Sequence, residues 1–195
     1  MAPTPMTPQE CIRTTVAHHE PDQVPVILTC APPVLLEFSG VSAQDFFGSR
    51  EKQLQVKLDF QRRFAGALFP EMVPTWRKHP FMWAVEESGV LQGKHQVPDF
   101  LANQRCLEFL EWWRYSHDHM DPEIAHTWGP FSWMVRAFHP LMVLEEHFGG
   151  LGPLFIKMSE DKAYIREVCQ VLTDAAVAWI QVQEEFCQKE GFRYD

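Results

Sequence analysis

The chain has 195 residues, of which 46% are hydrophobic and 13% aromatic, so it can build a core and is unlike a wholly disordered protein. Its net charge is −9, and its 17 basic residues are scattered singly. No cationic stripe is available to neutralise a run of phosphates, which argues against nucleic acids and anionic membrane surfaces as partners.

The sequence also bears on location. No window approaches the roughly eighteen uncharged apolar residues of a membrane span, and residues 1–9 are proline-rich rather than basic and then apolar. The cysteines are odd in number, far apart and without a Cys-x-x-Cys pair, which indicates reduced thiols rather than a disulfide scaffold. We therefore expect a cytoplasmic protein.

The first predicted elements are a helix and a buried strand. A capping threonine, a proline at the first helical position and an acid in the first turn predict a helix over residues 8–18. Residues 24–30 are mostly apolar or β-branched without polar alternation, which is typical of a strand buried on both faces. Pro32 and Pro33 are predicted to end this strand.

In the middle of the chain, segments with a helical apolar pattern alternate with short strand-like apolar segments. Residues 49–67 have an amphipathic stripe that predicts a helix, and residues 66–69 form a short apolar run closed by Pro70, which predicts a second strand. Residues 81–98 hold two short extended pieces around glycines and are predicted to form a hairpin. Residues 101–115 are predicted to form a helix.

The last third repeats this pattern. Residues 124–128 are predicted to form a third strand, and short helices are expected over residues 132–138 and 141–148. A long surface helix is predicted over residues 160–189, because apolar residues recur there every three or four positions. Residues 192–195 resemble the start of a fourth strand. The apolar positions of the long helix are Ile165, Val168, Leu172, Ala175, Trp179, Val182 and Phe186.

Short apolar strands separated by helices predict repeated βα units and a parallel sheet. An open dinucleotide-binding fold would have a Gly-x-Gly-x-x-Gly turn after the first strand, whereas this chain has Ala31-Pro32-Pro33. The sequence therefore favours a closed barrel of the α/β class.

Three segments resemble the uroporphyrinogen decarboxylase superfamily: "TPQECIRTTVAHHEPDQVPV", "GPFSWMVRAF" and "QVQEEFCQKEGFRYD". This superfamily includes the decarboxylase of haem biosynthesis and the cobalamin-dependent methyltransferases. The resemblance implies a TIM-type (β/α)₈ barrel with its ligand at the carboxyl ends of the strands, and such a barrel needs roughly 250 residues. It therefore implies that residues 1–195 are one partial barrel domain, truncated near the fourth strand and without a complete active site.

The decarboxylases of this superfamily hold a polycarboxylate substrate with arginines that follow the first strand. Aligned on Pro25, this chain has Cys30 and Val34 at the two arginine positions, and Arg13 is the only basic residue in residues 1–46. The substrate position at Cys30 therefore lacks the arginine clamp, which disfavours decarboxylation of uroporphyrinogen.

Other substrate contacts follow from the same comparison. Glu71 lies at or within a residue of the decarboxylase acid that contacts pyrrole nitrogens; the alternative is an exposed turn acid. Arg136 falls near the position of a decarboxylase tyrosine, after a good match at Gly129-Pro130-Phe131. His126 lies inside an apolar strand near the barrel mouth, where it either faces ligand or is a core histidine.

The chain also resembles the methyltransferase branch of the superfamily, whose members do not have the arginine pair. Trp76, Trp128, Phe131 and Trp133 would line an aromatic mouth suited to a flat corrin or an aryl methyl ether, although aromatic residues beside strands are usually core. The resemblance implies a corrinoid (cobalamin) and, in some members, zinc held by thiolate and imidazole ligands. Those ligands belong to the later half of the barrel, so no metal ligand is assigned here.

Three functions remain open. The first is corrinoid-dependent methyl transfer with a small molecule or a corrinoid protein as substrate. The second is uroporphyrinogen decarboxylation with a displaced clamp. The third is an inactive half-barrel that binds a partner, or associates with itself through uncovered sheet edges and an apolar helix face.

Overall fold

A computed structural model describes residues 5–26, 31–64, 74–122 and 138–192. Helices account for most of these residues. They are α1 (Pro8–Val16), α2 (Pro32–Ser39), α3 (Ala43–Gly48), α4 (Arg50–Arg63), α5 (Pro80–Ser88), a 3₁₀ turn (Val90–Gln92), α6 (Gln104–Asp118), α7 (Pro140–Phe148), α8 (Leu151–Glu160) and α9 (Lys162–Glu190).

The prediction of an α/β fold, half of a TIM-type (β/α)₈ barrel, is wrong, because the described residues are helical and include no strand. The first predicted strand shows why. Val24 is 83% exposed and Val26 is 46% exposed, so neither is buried in a sheet. The other predicted strand residues lie outside the described ranges, except Pro25 and Phe192, neither of which is in a strand.

The double proline begins a helix. Pro32 is the first residue of α2, and Ala31 before it has the extended backbone of an N-cap. Proline is tolerated in the first helical turn because the amide hydrogen that it lacks has no intrahelical acceptor there. The helix ends at Gly40, whose φ of 68° lies in the left-handed region that favours glycine.

The hairpin predicted over residues 81–98 is also wrong. The ring nitrogen Nδ1 of His79 accepts a hydrogen bond from the Phe81 amide at 3.3 Å, and Pro80 is the first residue of α5. The two glycines that suggested hairpin turns, Gly89 and Gly93, have φ of 80° and 85° and end α5 and the 3₁₀ turn. Both are therefore helix caps.

The helices with strong local signals are confirmed. In α1 the Thr7 hydroxyl accepts from the Glu10 amide, and the Glu10 carboxylate accepts from the Thr7 amide at 2.7 Å, which is a complete capping box. The predicted helices over residues 49–67, 101–115, 141–148 and 160–189 correspond to α4, α6, α7 and α9. Helix α8 was not predicted. The predicted helix over residues 132–138 lies outside the described ranges, except Phe138.

The chain divides into two compact units. Unit 1 comprises Met1–Thr75, Trp112–Met134 and Gly191–Asp195, and unit 2 comprises Trp76–Glu111 and Val135–Glu190. No helix among the described residues is long and apolar enough to cross a membrane.

In unit 1, α4 packs against α2 and α3. The buried side chains include Leu35 of α2 and Phe46 of α3, together with Trp113, which is fully buried. Phe38 and Phe60 meet edge to face with ring centroids 5.1 Å apart, a favourable geometry for aromatic rings. Aromatic and aliphatic packing on α4 therefore forms the core of this unit.

In unit 2, α9 packs against α5, α7, α8 and the 3₁₀ turn. Its buried face includes Leu172 and Trp179, both fully buried. The Tyr164 hydroxyl donates to the Leu91 carbonyl at 2.7 Å and joins the start of α9 to the 3₁₀ turn. The long helix is thus the element on which the rest of unit 2 is assembled.

Candidate functional site

Of the seven predicted substrate-binding residues, the described part of the chain contains Trp76. The other six lie outside it: Cys30, Glu71, His126, Trp128, Phe131 and Arg136. Their predicted roles stay predictions. The candidate site is therefore built from Trp76 and its neighbours in unit 2.

Trp76 belongs to a cluster with Trp83 of α5 and Arg105 of α6. Its ring meets the ring of Trp83 edge to face, with centroids 6.1 Å apart. The guanidinium carbon of Arg105 lies 4.0 Å from the centroid of the Trp83 ring, within the range of a cation–π interaction. The Arg105 Nε also lies 3.6 Å from the Glu87 carboxylate. The tryptophans are thereby linked to an acidic side chain.

Glu87 lines an open cleft between the end of α5 and the start of α6. The cleft has a volume of about 170 Å³. Its polar lining groups are two carboxylates, a hydroxyl and an amide. The lining residues are Ala84, Glu87, Ser88, Pro98, Asp99, Ala102 and Asn103. Since a cavity of about 150 Å³ can hold a benzene-sized molecule, this cleft has room for one small ring.

Hydrogen bonds fix the polar groups of the cleft. The Asn103 amide nitrogen donates to Glu87 at 2.8 Å, and its amide oxygen accepts from the backbone of Arg105 and Cys106 at the start of α6. Asp99 accepts from the backbone amides of Leu101 and Ala102, each at 3.1 Å. These contacts hold the side chains in place before any ligand arrives.

The negative charge of Glu87 in the cleft affects the pKa of the buried Cys106 thiol. Burial, and then the negative charge of Glu87, raise the pKa of this thiol to about 12. Cys106 therefore stays protonated at neutral pH. A protonated, buried thiol is neither a nucleophile nor a good metal ligand.

The described residues do not fit a zinc site. No group of three or more His, Cys, Asp or Glu side chains within residues 5–26, 31–64, 74–122 and 138–192 is arranged to hold a metal ion. Burial also raises the pKa of the Cys187 thiol to about 12. The zinc ligands that the resemblance implies include thiolates, and these two cysteines hold their protons.

The cleft does not fit a corrinoid either. Ligand pockets for drug-sized molecules have volumes of about 300–1,000 Å³, and a corrin is larger than most such ligands. A cleft of about 170 Å³ is too small to enclose it. A corrinoid that reacts at this cleft would have to be presented by another protein.

A second polar cluster lies in unit 1, on the buried side of α4. The Gln53 side chain donates to the Thr75 carbonyl at 2.7 Å and accepts from the Thr75 amide at 2.7 Å. It pairs with the backbone of Thr75 in the way that a neighbouring peptide group would. The backbone at Thr75 is thus fastened to α4.

Lys57 lies one helical turn after Gln53 and is 1% exposed. Its ammonium group donates to the Thr75 hydroxyl at 2.8 Å. Gln61, a further turn along, is also buried, so the three side chains form a polar row on one side of α4. Lysine is almost never fully buried without hydrogen-bonding partners. The hydrogen bonds of Gln53 and Lys57 therefore fix the position of Thr75 beside α4.

The sequence analysis missed this row, although a signal for it exists. The apolar residues of α4 are Leu54, Val56, Leu58 and Phe60, all buried. Residues spaced by two cannot share one face of a helix, because successive residues are 100° apart. Such a pattern indicates that α4 is buried over most of its circumference. The buried part includes the positions of Gln53, Lys57 and Gln61.

Replacing Gln53 with alanine is expected to lower the free energy of unfolding by about 2–3 kcal/mol, because a backbone donor and a backbone acceptor of Thr75 lose their partner. Gln55→Ala is the matched control, because Gln55 is exposed on the same helix and its side chain donates to the exposed carboxylate of Asp59 at 2.8 Å. We expect a change within about 0.5 kcal/mol for the control. Urea denaturation followed by circular dichroism measures both, and equal effects would contradict the anchoring role.

The chain was compared with known protein families, curated proteins and solved structures, and none of them matches.

Proposed function

We propose that this chain moves a methyl group between a small-molecule substrate and a corrinoid carried by a partner protein. The activity is that of the methyltransferase branch of the uroporphyrinogen decarboxylase superfamily, which the chain resembles in three segments. The observation that carries the proposal is the presence of these segments, in order, without the arginine pair that a decarboxylase needs for its polycarboxylate substrate.

The described residues around the arginine positions support the choice of branch. Ala31 to Val34 form the start of α2, so no basic side chain occupies this stretch. Arg13, the only basic residue in residues 1–46, is exposed on α1. A substrate with eight carboxylates would meet little positive charge in this part of the chain.

The cleft supports a small methyl donor or acceptor. Its volume of about 170 Å³ suits one aromatic ring with its substituent, such as an aryl methyl ether. In the proposal, Trp76 keeps its predicted substrate-binding role, although neither it nor Trp83 lines the cleft. Trp76 contacts Trp83, which is joined to the cleft residue Glu87 by Arg105. The corrinoid enters as the cargo of a partner protein.

The proposal includes a cytoplasmic location. Cys11, Cys106, Cys169 and Cys187 are free thiols. Free thiols are the state that a reducing compartment maintains.

The proposal is tested on the chain itself. The half-barrel that implied an incomplete active site is wrong, and the incomplete site itself stays a prediction that this experiment tests. With methylcobamide and an added thiol, we expect the methyl group to pass from cobalt to sulfur, while the thiol releases its proton and cobalt keeps the bonding electron pair. The absorbance change of the cobamide measures the rate. Trp76→Ala is expected to lower this rate about tenfold, which corresponds to a loss of about 1.4 kcal/mol.

Trp112→Ala is the control, because Trp112 is a half-buried tryptophan of unit 1. We expect its rate to match that of the unmodified chain. The methyl-transfer proposal would be refuted if no thiol demethylates methylcobamide and no aryl methyl ether methylates the reduced cobamide with release of its phenol. Conversion of uroporphyrinogen to coproporphyrinogen would instead establish the decarboxylase.

A further inference from the structure

Helices α7 and α8 present an apolar face in unit 2 that the rest of the described chain leaves exposed. The two helices pack against each other, and each buries other residues against α9. The side chains of the exposed face are between 42% and 61% exposed. They are Leu141, Met142, Leu151, Phe155 and Ile156. We call this set the α7–α8 face.

We propose that the α7–α8 face is a homodimer interface, covered by the same face of a second copy of this chain. The inference goes beyond the proposed methyl transfer and does not depend on it. Two observations support a second copy as the occupant: the area of the face and the charge pattern along α8.

The area is close to what a stable dimer needs. The five side chains expose on the order of 500 Å², near the upper end of the largest apolar patch of a typical monomer, about 300–600 Å². Two such faces together bury about 1,000 Å², which is the lower limit for a specific interface. The expected dimer is therefore reversible, with a dissociation constant in the micromolar range, about 1–100 μM.

The charge pattern of α8 is self-complementary in an antiparallel arrangement. From Leu151 to Ile156 the helix carries no charged side chain, and its N-cap, Gly150, provides no side-chain hydrogen bond. The opposite end carries Lys157, which pairs with the carboxylate of Asp161 at 3.2 Å, and the exposed carboxylate of Glu160. A helix begins with partial positive charge, so a carboxylate near that end is favourable.

A two-fold axis near the middle of α8 would cover the apolar face and bring Glu160 of each copy to the start of α8 in the other. It places Phe155 of one copy against Ile156 of the other, and Glu160 beside Leu151 at the start of the facing helix. Two-fold interfaces pair each residue with a different residue of the same patch, as this arrangement does. Along α8, this arrangement buries the apolar side chains without bringing charges of the same sign together.

Sedimentation equilibrium of the 195-residue chain tests the proposal. At about 100 μM we expect a weight-average mass at least about 1.5 times that of the monomer, and a shift toward the monomer on dilution to about 1 μM. Phe155→Glu would bury a carboxylate at the centre of the interface and is expected to raise the dissociation constant at least tenfold. A monomer at about 100 μM would overturn the proposal.

Two further variants make the test specific. Val177→Glu adds the same charge at an exposed valine of α9, outside the α7–α8 face, and is expected to leave the dimer unchanged. Glu160→Lys reverses the charge that faces the helix start, and we expect about a fivefold weaker dimer. Circular dichroism confirms that each variant folds. A dimer that survives Phe155→Glu, or that Val177→Glu weakens equally, would also overturn the proposal.

Discussion

Replacing Trp179 with alanine is expected to lower the free energy of unfolding of unit 2 by about 3–5 kcal/mol, the range for a buried tryptophan. The side chain is fully buried in the middle of α9. Its ring lies 5.2 Å from that of Phe100 and 5.9 Å from that of Phe109, measured between centroids. Removing it leaves a cavity between α9 and the rings that it contacts.

Val177→Ala is the control for this substitution. Val177 is 50% exposed on the same helix and two residues away. We expect its replacement to change the free energy of unfolding by less than about 0.5 kcal/mol. Guanidinium denaturation followed by circular dichroism measures both variants. A loss below about 1 kcal/mol for Trp179→Ala would contradict the central position of this side chain in the core.

The predicted long helix shows what periodicity alone establishes. Six of its seven predicted inward residues are buried, among them Trp179. The exception is Val182, which is half-buried, whereas Gln183 and Cys187 are buried. Steps of four residues from Trp179 reach these two positions, so the buried face follows the helix geometry and accepts an amide and a thiol. Periodicity therefore predicts the helix and its face, but not every residue type on it.

The strand predicted at residues 24–26 is wrong for a different reason. A short apolar run is compatible with a strand or with a buried helix segment, and periodicity cannot separate the two over so few residues. Only a partner strand decides, and a partner is remote in sequence. At residues 24–26 the described chain has no such partner, and Val24 is left exposed. Helix caps are local, which explains why α1 was predicted correctly and the barrel was not.

The candidate site could be predicted only in part. Trp76 was chosen because aromatic side chains suit a flat ligand, and the structure adds Trp83 and Arg105 as its neighbours. Nothing in the spacing of Trp83 and Arg105 indicates that they meet, because they lie on different helices. The same is true of Gln53 and Thr75, which are 22 residues apart. Contacts between elements follow from packing, which a single sequence does not display.

The stability of unit 2 is expected to fall as the pH rises above about 9, because Cys106 and Cys187 are protonated when folded. Burial raises the pKa of each thiol from 9.0 to about 12, and nearby Glu87 and Glu184 add to the respective shifts. Between these two pH values the unfolded chain loses the protons that the folded chain retains, so the equilibrium moves toward unfolding. Below pH 9 both thiols are protonated in the folded and in the unfolded chain, so their contribution to the stability is fully present.

The slope of this loss is at most about 1.4 kcal/mol per pH unit for each thiol that keeps its proton on folding. Urea midpoints between pH 8 and 12, compared for the unmodified chain and a Cys106→Ala, Cys187→Ala double variant, isolate the thiols from lysines and tyrosines that titrate in the same range. The double variant is expected to decline less steeply. Cys169→Ala serves as control, because solvent reaches this half-buried thiol and a smaller change of slope is expected. Parallel curves for the unmodified chain and the double variant would show that neither buried thiol keeps its proton on folding, since only retained protons couple stability to pH in this window.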